Sequence, residues 1–275
     1  MPAAVPREAA TVVVARPANS GLEVLLLQRA ERGDHNSGAW VFPGGLVDPG
    51  DREGGDGLAF HRAAVRECRE ECGIQLDTGG LHLIAHWLTP MGRAKRFDTR
   101  FFVAVVTRGQ SALHDGNETT DHVWITPAEA LSPRNSRRLM TPTRSTLEML
   151  LPFDSVAALE AWTAQPRQVQ RILPRLAIDA NGTRPVQPHE PGYDEVAKLD
   201  PQGRCDVWCE LRPGVEVRIG ERVTRVVGPD GSNRYFVDGL AVQRPTVVEG
   251  IAIGYDTAPA GAQWLAPSRG FLLRV

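Results

Sequence analysis

Short apolar runs alternate with turn-forming stretches through the first half of the chain. Residues 11–15 (Thr-Val-Val-Val-Ala) and 24–27 (Val-Leu-Leu-Leu) flank Arg-Pro-Ala-Asn-Ser-Gly and predict two strands joined by a turn. Residues 28–39 are polar and contain glycine, as a loop does. Trp40-Val41-Phe42 reads as a short strand broken by Pro43-Gly44-Gly45, and the Asp- and Gly-rich residues 46–57 cannot form a stable helix. Residues 58–72 lack Pro and Gly. Their apolar positions Leu58, Val65, Cys68 and Cys72 fall near one face, which predicts a helix that Gly73 can end in the left-handed conformation. Residues 82–88, 100–107 and 123–125 predict further strands. Thr126-Pro127 has the form of an N-cap followed by a first helical residue, and residues 143–151 and 155–164 complete a helical end.

The texture changes after residue 165. Prolines 166, 174, 185, 188, 191 and 201 predict an extended segment with little regular structure. Residues 207–237 then alternate apolar and polar positions between Pro-Gly, Gly-Pro-Asp-Gly and Asp-Gly turns, a pattern of strands and hairpins. No internal repeat is visible. The working division is a first domain over 10–165 and a Pro-rich segment with a β-rich extension over 166–275.

Composition narrows the function classes. With 275 residues, 42% hydrophobic and 23% charged, the chain has the makeup of a soluble globular protein. A formal net charge of −2 gives no electrostatic footprint for nucleic acid or an anionic membrane. No apolar run approaches a membrane span. MPAAVPREAA shows no basic start before an apolar stretch, and Phe-Leu-Leu-Arg-Val is no peroxisomal address of the Ser-Lys-Leu kind, so a cytoplasmic location is expected. Four cysteines are too few to staple the chain. Cys68 reads as a small buried apolar residue, and Cys205 and Cys209, a C-x₃-C pair without a partner pair, are read as neither disulfide nor zinc site.

The chemistry concentrates at Arg66-Glu67-Cys68-Arg69-Glu70-Glu71-Cys72-Gly73-Ile74. Glu67 and Glu71 lie one turn apart and Glu70 beside them, so the three carboxylates repel by roughly 0.2–0.5 kcal/mol per pair on an open helix. Such a cluster is either a solvated acidic face or a seat for a hard cation, for which carboxylate oxygens are suited.

Together with Pro43-Gly44-Gly45 this stretch resembles the Nudix box, G-x₅-E-x₇-R-E-U-x-E-E-x-G-U with U apolar. The second half matches at every defined position, counting Cys68 and Ile74 as apolar. Between Gly45 and Arg66 stand 20 residues where the usual box has 13, an insertion of seven. The place of the usual first Glu is taken by Leu58, and Asp51, Glu53, Asp56 or nothing replaces it. Residues 24–29, 38–45, Asp48 and Asp51, then 86–90 and 96–102, resemble the Nudix subgroup of peroxisomal coenzyme A diphosphatases, which also carry an insertion in the box. The resemblance covers residues 11–160.

The resemblance implies an α/β fold, the Nudix α/β/α sandwich with a mixed β-sheet, here followed by a β-rich C-terminal extension. It implies Mg²⁺-dependent hydrolysis of a diphosphate bond, with Mn²⁺ as an alternative ion. Glu67 and Glu71 would be inner ligands, Glu70 a ligand to a second or third ion, and the Gly45 carbonyl a further donor. Arg66 would hold the loop by an ion pair. Glu118, six residues before Trp124, is either a further metal ligand or general base, or a plain turn glutamate; Asp121 is a weaker candidate. Whether Glu67 or Glu118 takes the proton is open.

Arg96, Asp98 and Arg100 alternate in a strand-like run. Their charged face meets the substrate's phosphates or is a solvated ladder, and Arg29 at a strand end invites the same two readings. His35, His86 and His122 are isolated, and no H-E-x-x-H pattern supports a zinc hydrolase. The expected substrate is coenzyme A or acyl-CoA, giving 3′,5′-ADP and a phosphopantetheine product. NADH or ADP-ribose is the alternative substrate, and a non-catalytic Nudix binding module the alternative of another class. Residues 222–229 and 233–239 faintly resemble the opening strands of a metallo-β-lactamase-fold domain. Without its histidine ligands, they are expected to form a small β-module packed on the core or making a dimer contact, and a homodimer is left open.

Overall fold

The run of valines at positions 12–14 becomes the centre of strand β1 (Arg7–Pro17), and all three valines are fully buried. A strand covered on both faces is expected where parallel pairing occurs. β1 does pair in parallel with β6 (Phe97–Val105), from Arg7 opposite Phe97 to Ala15 opposite Val105. The structure is a computed structural model and describes all residues except 1–3, 20, 34–36, 91–92, 204–206, 255–271 and 274–275. The chain forms two compact units: Pro6–Trp87 with Phe97–Arg171, and Met1–Val5, Leu88–Arg96 and Ile172–Val275.

In the first unit β2 (Leu22–Arg29) pairs antiparallel with β1, with β3 (Trp40–Val41) and with β7 (Thr119–Ile125). β4 (Gly44–Leu46) pairs antiparallel with β1, and β5 (His82–Leu88) flanks β6, giving the order β3-β2-β1-β6-β5. The sheet is mixed, as expected. Some details differ from the sequence reading, among them β6, which spans Phe97–Val105 rather than 100–107. Pro43-Gly44-Gly45 does not end the extended chain, because Gly44 and Gly45 are themselves a strand opposite Thr11 and Ala10. Strand β7 begins at Thr119, four residues earlier than expected, where β2 offers it a partner at Arg29.

Helix α1 (Ala59–Cys72) lies on one face of this sheet. Phe60, Ala63, Ala64, Cys68 and Cys72 form its buried stripe against Ala10, Val12, Val14, Leu25, Leu27 and Phe102. The expected stripe through Leu58 is corrected. Leu58 is the N-cap residue and 45% exposed, and the small alanines let α1 approach the sheet closely. Gly73 ends the helix at φ 73°, its N–H donating to the Arg69 carbonyl. Residues 46–57 form no α-helix, only the 3₁₀ turns Pro49–Arg52 and Asp56–Leu58. Helix α2 (Pro127–Leu131) opens with a reciprocal cap between Thr126 and Glu129, and α3 (Thr141–Leu150) and α4 (Val156–Thr163) follow. Helix α4 meets β1, and Val13, facing away from the α1 side, is as buried as its neighbours.

β8 (Arg171–Ile172) is followed by an element pattern that corrects the expectation for the Pro-rich segment. β9 (Arg175–Asp179) and β10 (Gly182–Val186) form a hairpin, and α5 (Tyr193–Leu199) follows. Pro185 lies inside β10. That strand is the edge of its sheet, where a missing N–H is tolerated. Strands β11 (Val207–Glu210), β12 (Glu216–Arg218), β13 (Val223–Val227) and β14 (Asn233–Val237) appear where the alternation places strands. The Asp238-Gly239 turn, both residues at positive φ, joins β14 to β15 (Leu240–Ala241). A hairpin of β16 (Thr246–Val248) and β17 (Ile251–Ile253) and the short β18 (Leu272–Leu273) complete the unit. No helix among the described residues is long and apolar enough to cross a membrane.

Candidate active site

Strand β4 and the last turns of α1 meet at two glycines. The Gly44 N–H donates to Glu71 Oε2 at 2.9 Å. A Cβ on Gly45 would lie within 2.6 Å of all three heavy atoms of the Glu67 carboxyl group. A Cβ on Gly44 would stand 2.7 Å from the Thr11 Cα and nearer still to the Ala10 carbonyl oxygen. Neither position has room for a side chain, so these glycines set how close the helix carboxylates come to the strand.

Arg66 organises the other side. Its Nε and Nη2 donate to the two oxygens of Asp51 at 3.2 and 2.9 Å, and Nη2 also to the Leu46 carbonyl at 2.9 Å. Nη1 reaches Glu67 Oε1 at 2.8 Å and Glu70 Oε2 at 3.1 Å. A planar guanidinium suits this forked arrangement. Asp51 is 5% exposed; burial alone would raise its pKa, but Arg66 and the Asp48 N–H outweigh it and hold the carboxyl below its ordinary range. Of the three residues offered for the missing first glutamate, Asp51 is the one that grips Arg66. Asp56 pairs with Arg52 instead, and Glu53 is exposed.

The glutamates differ in setting. Glu70 is exposed on its far side, whereas Glu71 is buried. Burial pushes the Glu71 pKa up to about 8 against the pull of the Gly44 N–H, and the charges of Glu67 and Glu118 add to the rise. Burial also raises Glu67; Arg66 opposes it, while Glu70 and Glu118 reinforce it.

Glu118 reaches this neighbourhood because its loop is tied to the end of α1. The Leu113 and Asp115 N–H groups donate to the Cys72 and Glu71 carbonyls at 3.0 and 3.1 Å, using carbonyls that a helix end leaves unpaired. Asp115 in turn accepts from the Glu118 and Thr119 N–H groups and the Thr119 hydroxyl. Burial works against its charge, but these donors bring its pKa down to about 2. The sequence reading missed Asp115 and Thr119. Their signal was local, an Asp three and four residues before the N–H groups it caps. It also missed Arg32, whose Nη1 stands 3.7 Å from Glu118.

The arginines expected at the substrate divide. Arg29 ends β2 opposite Thr119, and its guanidinium has no hydrogen-bond partner among the described residues. Arg100 lies over the Phe60 ring, its Cζ 3.8 Å from the centroid. Arg96 falls outside β6, in the other unit, where it is buried and donates to the Thr89 and Ala4 carbonyls. Asp98 pairs with His86 and faces Arg171 at 3.8 Å. The expected single charged face is therefore not formed, since β6 begins one residue too late to include Arg96. Nor are the histidines isolated. His86 has Asp98, and His122 Nδ1 lies 2.9 Å from His114 Nδ1; His35 lies outside the described residues, as does Cys205. His114, Asp121 and His122 bring one ligand atom each within 4.8 Å of one another.

A family model described as the NUDIX domain matches residues 5–144, just over half of the chain. The chain belongs to the Nudix family. It is 32% identical over 162 residues to acyl-coenzyme A diphosphatase NUDT19 of Xenopus laevis, covering 56% of this chain and 43% of that protein. To the Homo sapiens NUDT19 it is 22% identical over 287 residues, covering 68% and 76%. The chain thus spans less than half the length of the Xenopus relative. Among solved structures, a NUDIX hydrolase from Alicyclobacillus acidocaldarius superposes with a TM-score of 0.51 at 26% identity, over 57% of this chain and 96% of that one. The Nudix fold and membership of the Nudix hydrolase family follow, with an extra β-rich C-terminal part.

Proposed function

We propose that this Nudix protein hydrolyses the diphosphate bond of coenzyme A or an acyl-CoA with Mg²⁺, releasing 3′,5′-ADP and a phosphopantetheine product. The observation that carries the reading is the packing of Glu67 and Glu71 against the Gly44-Gly45 strand, with the charge of Glu118 near enough to raise both and Arg66 bonded to Glu67 and Glu70. The donor set fits a hard divalent ion, Mg²⁺ or Mn²⁺: all oxygen, more negative than one arginine balances, and shaped by a glycine that a Cβ would fill. Glu67 and Glu71 would hold the ion, with Glu70 and the Gly45 carbonyl as further donors. When bound, the ion supplies charge neutralisation on the non-bridging phosphate oxygens and a template for the attacking water.

The chain's own residues do the rest. Arg66 fixes the rotamer of Glu67 and anchors the inserted segment through Asp51. Glu67 is bonded to Arg66 at 2.8 Å and 14% exposed, whereas Glu118 is 3.7 Å from Arg32 and 59% exposed, so Glu118 would be the freer carboxylate to act as general base. In that step a water oxygen forms a bond to phosphorus, the bridging P–O bond breaks, and the water proton passes to Glu118. Arg29, which ends β2 opposite Thr119, would bind a phosphate. The choice of coenzyme A rests on likeness to the acyl-coenzyme A diphosphatases.

The test is to incubate the protein with Mg²⁺ and coenzyme A, acyl-CoA, NADH or ADP-ribose in parallel, following 3′,5′-ADP from the first two and AMP from the last two. Turnover of NADH or ADP-ribose without coenzyme A cleavage would move the substrate and keep the reaction. Absence of any turnover, with ligand binding unchanged in Glu71→Gln, would make the protein a binding module.

A further inference from the structure

We propose that His114, His122 and Asp121 form a second metal site, for a borderline divalent transition ion of the zinc class and separate from the glutamate site. The two Nδ1 atoms face each other at 2.9 Å. That distance fits a hydrogen bond in which one Nδ1–H proton is donated to the other Nδ1, so one Nδ1 lone pair points at the other ring. Replacing that proton by an ion at roughly 2.0–2.1 Å from each nitrogen in tetrahedral geometry needs a separation of about 3.3 Å, an opening of a few tenths of an ångström. The rings are tilted by 48° with centroids 5.2 Å apart, so they are not stacked and their edges converge. The third ligand is placed beside them. Asp121 Oδ1 accepts the backbone N–H of His122 at 2.7 Å, and a carboxylate oxygen lies within 4.8 Å of a ring nitrogen of each histidine.

The ligands sit on held backbone. His122 is in β7 opposite Leu27, and His114 stands between Leu113 and Asp115, both bonded to the end of α1. Preorganisation of this kind distinguishes a site from a chance meeting of flexible side chains. Two imidazoles and one carboxylate suit zinc, cobalt or nickel, whereas magnesium favours oxygen donors. The histidines are half-buried and Asp121 is exposed, so an ion has a path in and a fourth position open to solvent. His114 and Asp121 bracket Glu118 in sequence. An ion here would clamp the two ends of the segment that carries it.

The proposal is independent of the substrate reading and is tested by metal binding. The full chain is stripped with chelator, placed in excess Mg²⁺ to fill the glutamate site, and titrated with Co²⁺. The expected result is a visible d–d band of a low-coordinate cobalt centre that saturates at one equivalent. It should be lost in His114→Ala and in His122→Asn and kept in Glu71→Gln. Circular dichroism checks folding, and the loop variant His114→Ala decides if His122→Asn does not fold. No band in the wild type, or a band that survives His114→Ala and disappears in Glu71→Gln, overturns the site.

Discussion

Asp51 shows how one residue compensates for an interrupted motif. It is buried and forked by Arg66, so Asp51→Asn removes the buried member of the carboxylates that face that arginine. Arg66 keeps Glu67 and Glu70, so what is lost is a pair of charge-assisted hydrogen bonds, and we expect a loss of about 1.5–3 kcal/mol in urea unfolding together with a fall in kcat. Glu53→Ala, at an exposed position in the same segment, should change neither. Equal effects of the two substitutions would reject Asp51 as the anchor. Gly45→Ala tests the facing strand. Its Cβ collides with the Glu67 carboxylate, and we expect apparent Mg²⁺ affinity in the hydrolysis assay to fall roughly tenfold or more.

At the scale of elements, the end of α1 and the segment 113–119 act together. Burial keeps Glu71 protonated up to about pH 8 in the metal-free protein, whereas the unfolded chain releases that proton in the ordinary carboxyl range. Between those two pKa values the folded state binds more protons, so metal-free stability should decline as pH rises toward 8. Thermal unfolding across that range checks it: Glu71→Gln should flatten the decline, and Mg²⁺ should oppose it in the wild type. Asp115→Ala removes the acceptor for two N–H groups and a hydroxyl. We expect faster amide exchange confined to 113–119 and roughly a tenfold lower kcat, through looser placement of Glu118.

Much of this element was legible in advance. The i, i+4 spacing of Glu67 and Glu71 and the Gly73 stop are local features, and local features are written in the sequence. The choice among Asp51, Glu53 and Asp56 was not, because it depends on which carboxylate the folded insertion turns toward Arg66. The pairing of His114 with His122 needed the registration of β7 on β2, which no local pattern reports. The hairpin within 175–186 was hidden by Pro185, acceptable only because β10 became an edge.

At the scale of the whole molecule, the two units have separate cores, and each contains its own buried ion pairing. In the C-terminal unit Arg225 is fully buried with Glu195 Oε2 3.1 Å from its Nη1, and the Tyr235 hydroxyl donates to the other Glu195 oxygen. Burial and the Glu195 charge together push the Tyr235 pKa upward, so the hydroxyl remains a donor throughout the physiological range. Glu195→Ala leaves the fully buried Arg225 guanidinium without this counterion. The expected destabilisation is on the order of 3 kcal/mol. Where the penalty appears tells whether the units unfold as one. Chains of several compact units commonly depart from two-state unfolding. We expect scanning calorimetry of Glu195→Ala to show one transition moved to lower temperature and a second unchanged, with hydrolysis by the unit that carries Glu67 and Glu71 persisting between them. A single transition that moves as a whole, with activity lost at its midpoint, would instead show that the catalytic unit depends on the extension for its own stability.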